Sequence, residues 1–217
     1  MDFEQARENM IEQQIRTWDV LDQAVLDSIS AIPRDEFVPE AYRTLAYSDS
    51  EIPLGYGEKM MTPKIEARLV QSLNLSSSDR VLEIGTGSGY LTALLAHRCA
   101  HVTTIEFRSV LLETAQQKLA QHGFGNILSE QGDGIDGCKS KEPFEAIALT
   151  GSVATKRPII ERQLTIGGRL FMVIGTGPAM EAHLITRVGE SEFVSEILFE
   201  TVLDPLLGGE AQPQFQF

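Results

Sequence analysis

The stretch Glu83-Ile84-Gly85-Thr86-Gly87-Ser88-Gly89-Tyr90 decides how this chain is read. A short apolar run at 81–84 leads into it and a helical pattern at 90–97 follows, so three glycines fall where a strand ends and a helix begins. A turn at that place takes dihedrals that side chains disfavour, and without Cβ atoms a ligand can approach the backbone amides closely. The turn therefore points to a nucleotide-like ligand. A dinucleotide fingerprint requires G-x-G-x-x-G, whereas here the third glycine is Gly89, and Tyr90 stands where that pattern has its last glycine. A pyrophosphate cradle is disfavoured.

Working outward, strand-like runs at 81–84, 101–105, 126–130, 144–149 and 170–174 alternate with helical patterns at 90–97, 109–121 and 156–164, and Gly123 closes the second helix. This rhythm predicts an α/β fold with a doubly wound, mostly parallel sheet covered by helices on both faces. The runs 183–188 and 193–202, separated by a Gly-Glu-Ser turn, predict an antiparallel hairpin at the sheet edge. Upstream, Phe3, Ala6, Met10, Ile11 and Ile15 recur at helical spacing, and a second helical pattern over 20–32 ends at Pro33. Residues 34–61 show little periodicity and read as an ordered loop. Thr62 is suited to cap the next helix, with Pro63 in its first turn and Ile65, Leu69, Val70 and Leu73 on one face. The chain reads as one domain over 1–217: an N-terminal helical cap and substrate loop at 1–79, a cofactor-binding core at 80–207, and a flexible tail at 208–217.

Composition excludes several classes. An apolar fraction of 42% with 23% charged residues supports a real core. Lys plus Arg is 18 against 31 for Asp plus Glu, a formal charge of −13, and no basic stripe offsets it, which argues against nucleic acid. Cys99 and Cys138 are too few for a disulfide framework. With an acidic N-terminus and no long apolar run, a cytoplasmic protein away from membranes is expected. His97 and His101 stand four apart, yet a helix-to-strand break separates them, so no metal site is expected. Trp18 reads as a core anchor, and Met60-Met61 as packing.

Two acids extend the glycine-loop argument. Glu106 lies about twenty residues past Gly85, where a carboxylate in this topology can accept hydrogen bonds from both hydroxyls of a ribose. Asp133, between Gly132 and Gly134, can point at an adenine amino group. Loop and acids share one crevice at the carboxyl ends of neighbouring strands, where open α/β sheets bind ligands.

With these residues the sequence resembles the S-adenosylmethionine-dependent methyltransferases, and within them the protein-L-isoaspartate O-methyltransferase family. The resemblance covers nearly the whole chain, from Met10-Ile11-Glu12-Gln13-Gln14 and Pro33-Arg34-Asp35-Glu36-Phe37-Val38-Pro39 to Pro205-Leu206. Ala46-Tyr47-Ser48-Asp49 and Ile52-Pro53-Leu54-Gly55-Tyr56-Gly57 look like the family's substrate-side loop, and 81–90 like its cofactor motif. Gly132-Asp133-Gly134 is similar to the adenine segment, and Leu149-Thr150 to the strand end beside the transferred methyl. The resemblance implies S-adenosylmethionine as cofactor, held by Gly85, Thr86, Gly87, Ser88, Gly89, Tyr90, Glu106, Asp133, Gly134 and Thr150.

The chain departs from the family at two places. Where the family reads Gly-Gln-Thr-Ile-Ser-x-Pro, with the serine hydroxyl beside the substrate carboxylate, this chain reads Gly57-Glu58-Lys59-Met60-Met61-Thr62-Pro63. Where the family has Phe-Val-Pro-Leu, it reads Leu203-Asp204-Pro205-Leu206. Lys59, Met61 and Thr62 are thus the candidate substrate-side residues: Lys59 either holds a carboxylate or is solvated, and Thr62 offers a hydroxyl one residue late but is better placed as a cap. The implied activity is carboxyl O-methylation of L-isoaspartyl or D-aspartyl residues in damaged proteins, so the implied partner is a peptide or protein. Two alternatives stay open at this point: methylation of a different carboxylate, and a cofactor-binding homologue without turnover.

Overall fold

The computed structural model describes residues 2–138, 141 and 143–211. The N-terminal segment begins with α1 (Phe3–Met10), where the Asp2 side chain accepts from the Gln5 amide as an N-cap. The expected single amphipathic helix then widens into a π-helical turn, Ile11–Ile15, and tightens into a 3₁₀ turn, Arg16–Trp18, before α2 (Gln23–Ala31). Its buried residues are Met10, Ile11 and Ile15. Trp18 is only half-buried: its ring meets the edge of Phe199 at 5.9 Å, and the Lys64 ammonium lies 4.4 Å from its centre. It anchors the segment onto the sheet instead of filling the interior.

The stretch expected to be a loop contains two 3₁₀ turns, Arg34–Glu36 and Glu40–Leu45, and a hairpin of β1 (Ile52–Gly55) and β2 (Glu58–Met60). Strands of four and three residues are too short for alternation to show in the sequence. The hairpin turns at Gly55, Tyr56 and Gly57, with φ of +93°, +56° and +85°. α3 (Pro63–Leu73) follows, with Pro63 in its first turn and Thr62 at the cap position. The Thr62 hydroxyl makes no capping bond, however; its Oγ1 is buried without a partner, which corrects the expected role.

The remaining elements are β3 (Arg80–Ile84), α4 (Tyr90–Ala96), β4 (His101–Glu106), α5 (Ser109–Gln121), β5 (Ile127–Gln131), β6 (Phe144–Val153), α6 (Pro158–Glu161), β7 (Leu164–Thr176), β8 (Ala179–Arg187) and β9 (Phe193–Thr201). They form a seven-stranded sheet in the order β5-β4-β3-β6-β7-β8-β9. Strands β3 to β7 pair in parallel, and β7, β8 and β9 are antiparallel, as the hairpin signal at the edge required. The helix expected over 156–164 is shorter, because Leu164 already pairs with Phe144 as the first residue of β7.

Period-two alternation in the central strands feeds both faces of the sheet. Leu82, Ile84, Ile147 and Leu149 join one buried cluster, and Val81, Ala146 and Ala148 the other, which also packs the N-terminal segment. Each large apolar side chain so buried contributes about 1.5–3 kcal/mol. Part of the predicted tail is also docked: Gly209 is buried and its carbonyl accepts from the Ala154 amide at 2.7 Å. The rest of that tail, 212–217, lies outside the described residues. Among the described residues no helix is long and apolar enough to cross a membrane.

The chain runs from β3 outward through β4 to β5, then returns to the other side of β3 with β6 and β7. Connections therefore leave β3 and β6 in opposite directions, and a crevice opens at their carboxyl ends.

Candidate active site

At the end of β3, Gly85 takes φ +96°, and a Cβ there would run into the Thr150 hydroxyl. That hydroxyl cannot yield cheaply, since it donates to the carbonyls of Ile84 at 2.9 Å and Gly85 at 2.8 Å. A Cβ at Gly89 would press on Ala115 of α5 at 3.1 Å. These two glycines therefore permit close packing of the protein on itself, whereas Gly87 faces Leu54 of the β1–β2 hairpin across the cleft.

Beneath the loop, Glu83 is fully buried. Its Oε2 accepts from the hydroxyls of Thr92 at 2.5 Å and Thr104 at 2.6 Å. Because the one proton of Thr104 points to Glu83, Thr86 donates to Thr104 at 2.6 Å. The chain of hydroxyls ties β3, β4, α4 and the loop together. Glu83 Oε1 has no partner, and burial pushes this carboxyl up to about 8.

Glu106 ends β4 and is buried, not the surface acid that a carboxylate at a strand end can be. Its Oε2 accepts from the Gly87 amide and its Oε1 from the Arg108 amide, each at 2.9 Å. An ionised carboxylate has about four acceptor sites. Two are taken by amides that fix its plane, and two are left for donors from the cleft, the number that a ribose diol brings.

The cleft encloses about 850 Å³, its open mouth included. Of the residues predicted for the cofactor, Gly85, Gly87, Glu106, Asp133, Gly134 and Thr150 line it. Thr86 and Ser88 line a smaller adjoining cavity, while Gly89 and Tyr90 line neither. Tyr90 is a correction: its side chain turns into the core, where its ring meets Phe37 at 5.7 Å and the Arg34 guanidinium at 5.6 Å. The Ser88 hydroxyl accepts from the Tyr90 amide at 3.2 Å and steadies the start of α4. Asp133 is exposed and its Oδ1 accepts from the Ile135 amide at 3.0 Å.

Sequence reading missed the apolar walls. Phe107, Leu111 and Ile135 line the cleft beside Glu106 and Asp133, forming a slot suited to a flat base. Phe107 is 47% exposed, and an aromatic directly after the strand-end acid was the signal available in the sequence. These features fit S-adenosylmethionine: a diol acceptor at Glu106, an apolar slot for the base, and free space along the glycine turn.

On the substrate side, Lys59 and Met61 line both cavities and Thr62 lines neither. Met61 is held from below, where the fully buried Arg34 donates to its carbonyl at 2.5 Å, to the Ala46 carbonyl at 2.6 Å and to Glu66 at 3.1 Å. Burial raises Glu66 to about 7 against the pull of Arg34. Lys59 bridges Asp204 at 2.9 Å and Glu51 at 3.3 Å, and these bonds, Asp204 first, raise its pKa. Its neighbour Glu58 pairs with Arg108 at 3.1 Å, so β2 is tied to both walls of the cleft.

The sequence profile of the "Protein-L-isoaspartate(D-aspartate) O-methyltransferase (PCMT)" family matches residues 5–211. A protein-L-isoaspartate O-methyltransferase of Rhodopseudomonas palustris is 39% identical over 206 residues, covering 94% of each chain. One from Pelobacter propionicus is 38% identical over 209 residues, covering 95% of this chain and 92% of that one. A solved structure from Plasmodium falciparum, described as a putative protein-L-isoaspartate O-methyltransferase in complex with S-adenosyl-L-homocysteine, superposes with a TM-score of 0.79. It is 18% identical and covers 95% of this chain and 99% of that one, a likeness of fold. Since the profile takes in the hairpin, the cleft and the antiparallel edge alike, the chain belongs to the protein-L-isoaspartate(D-aspartate) O-methyltransferase family of enzymes.

Proposed function

We propose that this enzyme methylates the carboxylate of L-isoaspartyl or D-aspartyl residues in damaged proteins, with S-adenosylmethionine as the methyl donor. The observation that carries the reading is Glu106, whose two oxygens are pinned by the Gly87 and Arg108 amides and aimed into a cleft roofed by the β1–β2 hairpin. The cofactor supplies an electrophilic methyl group on a sulfonium.

The substrate needs little acid–base help. An aspartyl-type carboxyl has an ordinary pKa near 3.9, so at neutral pH it is already the anionic nucleophile. What the chain contributes is position and exclusion of water. Glu106 and the apolar slot would hold one end of the cofactor, and Gly85 and Thr150 form the floor where the strand ends meet. Leu54 and Met61, carried by the hairpin and the segment after it, cover the cleft from the substrate side. In the ester, methoxide is a leaving group that the free carboxylate lacked. The adjoining backbone amide nitrogen then attacks that carbonyl, methanol leaves, and the resulting succinimide opens with water to give the normal aspartyl linkage in part. Two cysteines, both buried, support a reducing cytoplasm as the place of work.

The test is transfer of labelled methyl from S-adenosylmethionine to an isoaspartyl peptide beside its normal aspartyl twin. Labelling of the first alone supports the reading. Equal labelling of both, or of neither, overturns it.

A further inference from the structure

Among the described residues lining the cleft, Lys59 is the one cationic side chain. Its ammonium has three N–H donors, and it meets Asp204 at 2.9 Å and Glu51 at 3.3 Å. Of the other described side chains that line this cleft, Thr150 alone carries a donor, and the Ser88 hydroxyl lines the adjoining cavity instead. Met61 ends in a thioether, Thr62 does not line the cleft, and the hydroxyl proton of Thr150 lies between the carbonyls of Ile84 and Gly85. A carboxylate brought into the cleft therefore has Lys59 to meet, and Asp204 is there first. Lys59 and Asp204 are also the residues that stand in place of the family's threonine and valine, so the two departures answer each other across the cleft.

Resting on the function proposed above, we propose that Lys59 anchors the substrate carboxylate and that Asp204 is an internal carboxylate that holds this anchor in the free protein and yields it to substrate. Exchange is favoured over addition by charge. A substrate carboxylate joining Glu51 and Asp204 would put three anions around one ammonium, and like charges at that range disfavour one another. Release is also cheap. The side chains of Lys59 and Asp204 are 42% and 56% exposed, so Asp204 regains water as it leaves.

The backbone around Asp204 need not move for this. Its carbonyl accepts from the Ser152 amide at 3.0 Å, and the Leu206 amide donates to the Ser152 carbonyl at 2.9 Å, so the segment stays on β6 while the side chain swings. An uncharged amide in place of the substrate carboxyl lacks the charge to displace Asp204, which makes the exchange a filter for anionic substrates.

The test is a KM and kcat series with an isoaspartyl peptide for the wild type, Asp204→Asn, Lys59→Met, Lys59→Arg and the double variant Lys59→Met/Asp204→Asn, each shown to be folded by its urea curve. Removing the competing anion in Asp204→Asn should lower KM about two- to fivefold. Lys59→Met should raise KM about tenfold or more, with Lys59→Arg close to wild type. The double variant decides between contact and field: KM that stays raised supports an anchor, and KM that returns to the wild-type value shows that only local charge mattered and overturns the proposal. Unchanged KM in both single variants overturns it as well. Absence of methyl transfer in every protein, wild type included, would instead overturn the function on which it rests and the proposal with it.

Discussion

Glu106 and Glu83 sit close together in the fold and have opposite fates. Glu106 is held by two amides and offers its remaining lone pairs to the cleft, so Glu106→Ala should weaken S-adenosylmethionine binding by about 1.5–3 kcal/mol, the scale of hydrogen bonds to a charged group. Calorimetry checks this, and an unchanged affinity would remove Glu106 from the site. Glu83 holds its proton in the folded state to about pH 8, against an ordinary 4.5 for the free side chain. Between those values the folded protein keeps a proton that the unfolded chain has lost, so stability falls as pH rises through this window and levels off above it. Glu83→Gln removes that slope. The difference in unfolding free energy between pH 5 and pH 8 should shrink by about 1 kcal/mol or more, read from urea curves; parallel curves for the two proteins would contradict it. The place of Glu106 on the cleft was legible from its spacing to the glycine turn. The task of Glu83 was not, because its partners Thr92 and Thr104 come from α4 and β4, which only the folded sheet brings together. Tyr90 was misread for a related reason: adjacency to a ligand-binding loop says nothing about which way a side chain turns once the helix begins.

At the level of elements, Arg34 decides whether the β1–β2 hairpin sits over the cleft. One guanidinium joins the carbonyls of Ala46 and Met61 to Glu66 of α3, gathering the segments on both sides of the hairpin. Arg34→Met would leave Glu66 buried without its partner, and the loss is expected to be about 3–5 kcal/mol in urea unfolding. A loss below about 1 kcal/mol would mean that the hairpin is placed by other contacts. The hairpin itself was hidden in the sequence because proline and glycine punctuate strands of only four and three residues. The long helix α5 was readable from its apolar spacing and Gly123. The end of α6 was not, since Gln163 and Leu164 are drawn into pairing with Phe144 by the sheet and not by local preference.

For the molecule as a whole, the βα alternation and the edge hairpin made the sheet readable, and the crevice beside β3 follows from its strand order. The place of the cleft was therefore legible. On the other side of the cleft the sequence named Lys59, Met61 and Asp204 one by one but not the pairing of Lys59 with Asp204, because those segments meet only when the chain closes over β6. The formal charge of −13 is screened beyond about 8 Å at physiological salt, which limits its repulsion of an anionic substrate. The most direct measurement of the central claim is the fate of an isoaspartyl peptide incubated with the protein and S-adenosylmethionine, with peptide forms separated over time. The account predicts net conversion to the normal aspartyl peptide that depends on both protein and cofactor. Persistence of the isoaspartyl form, with S-adenosylmethionine shown to be bound, would contradict it.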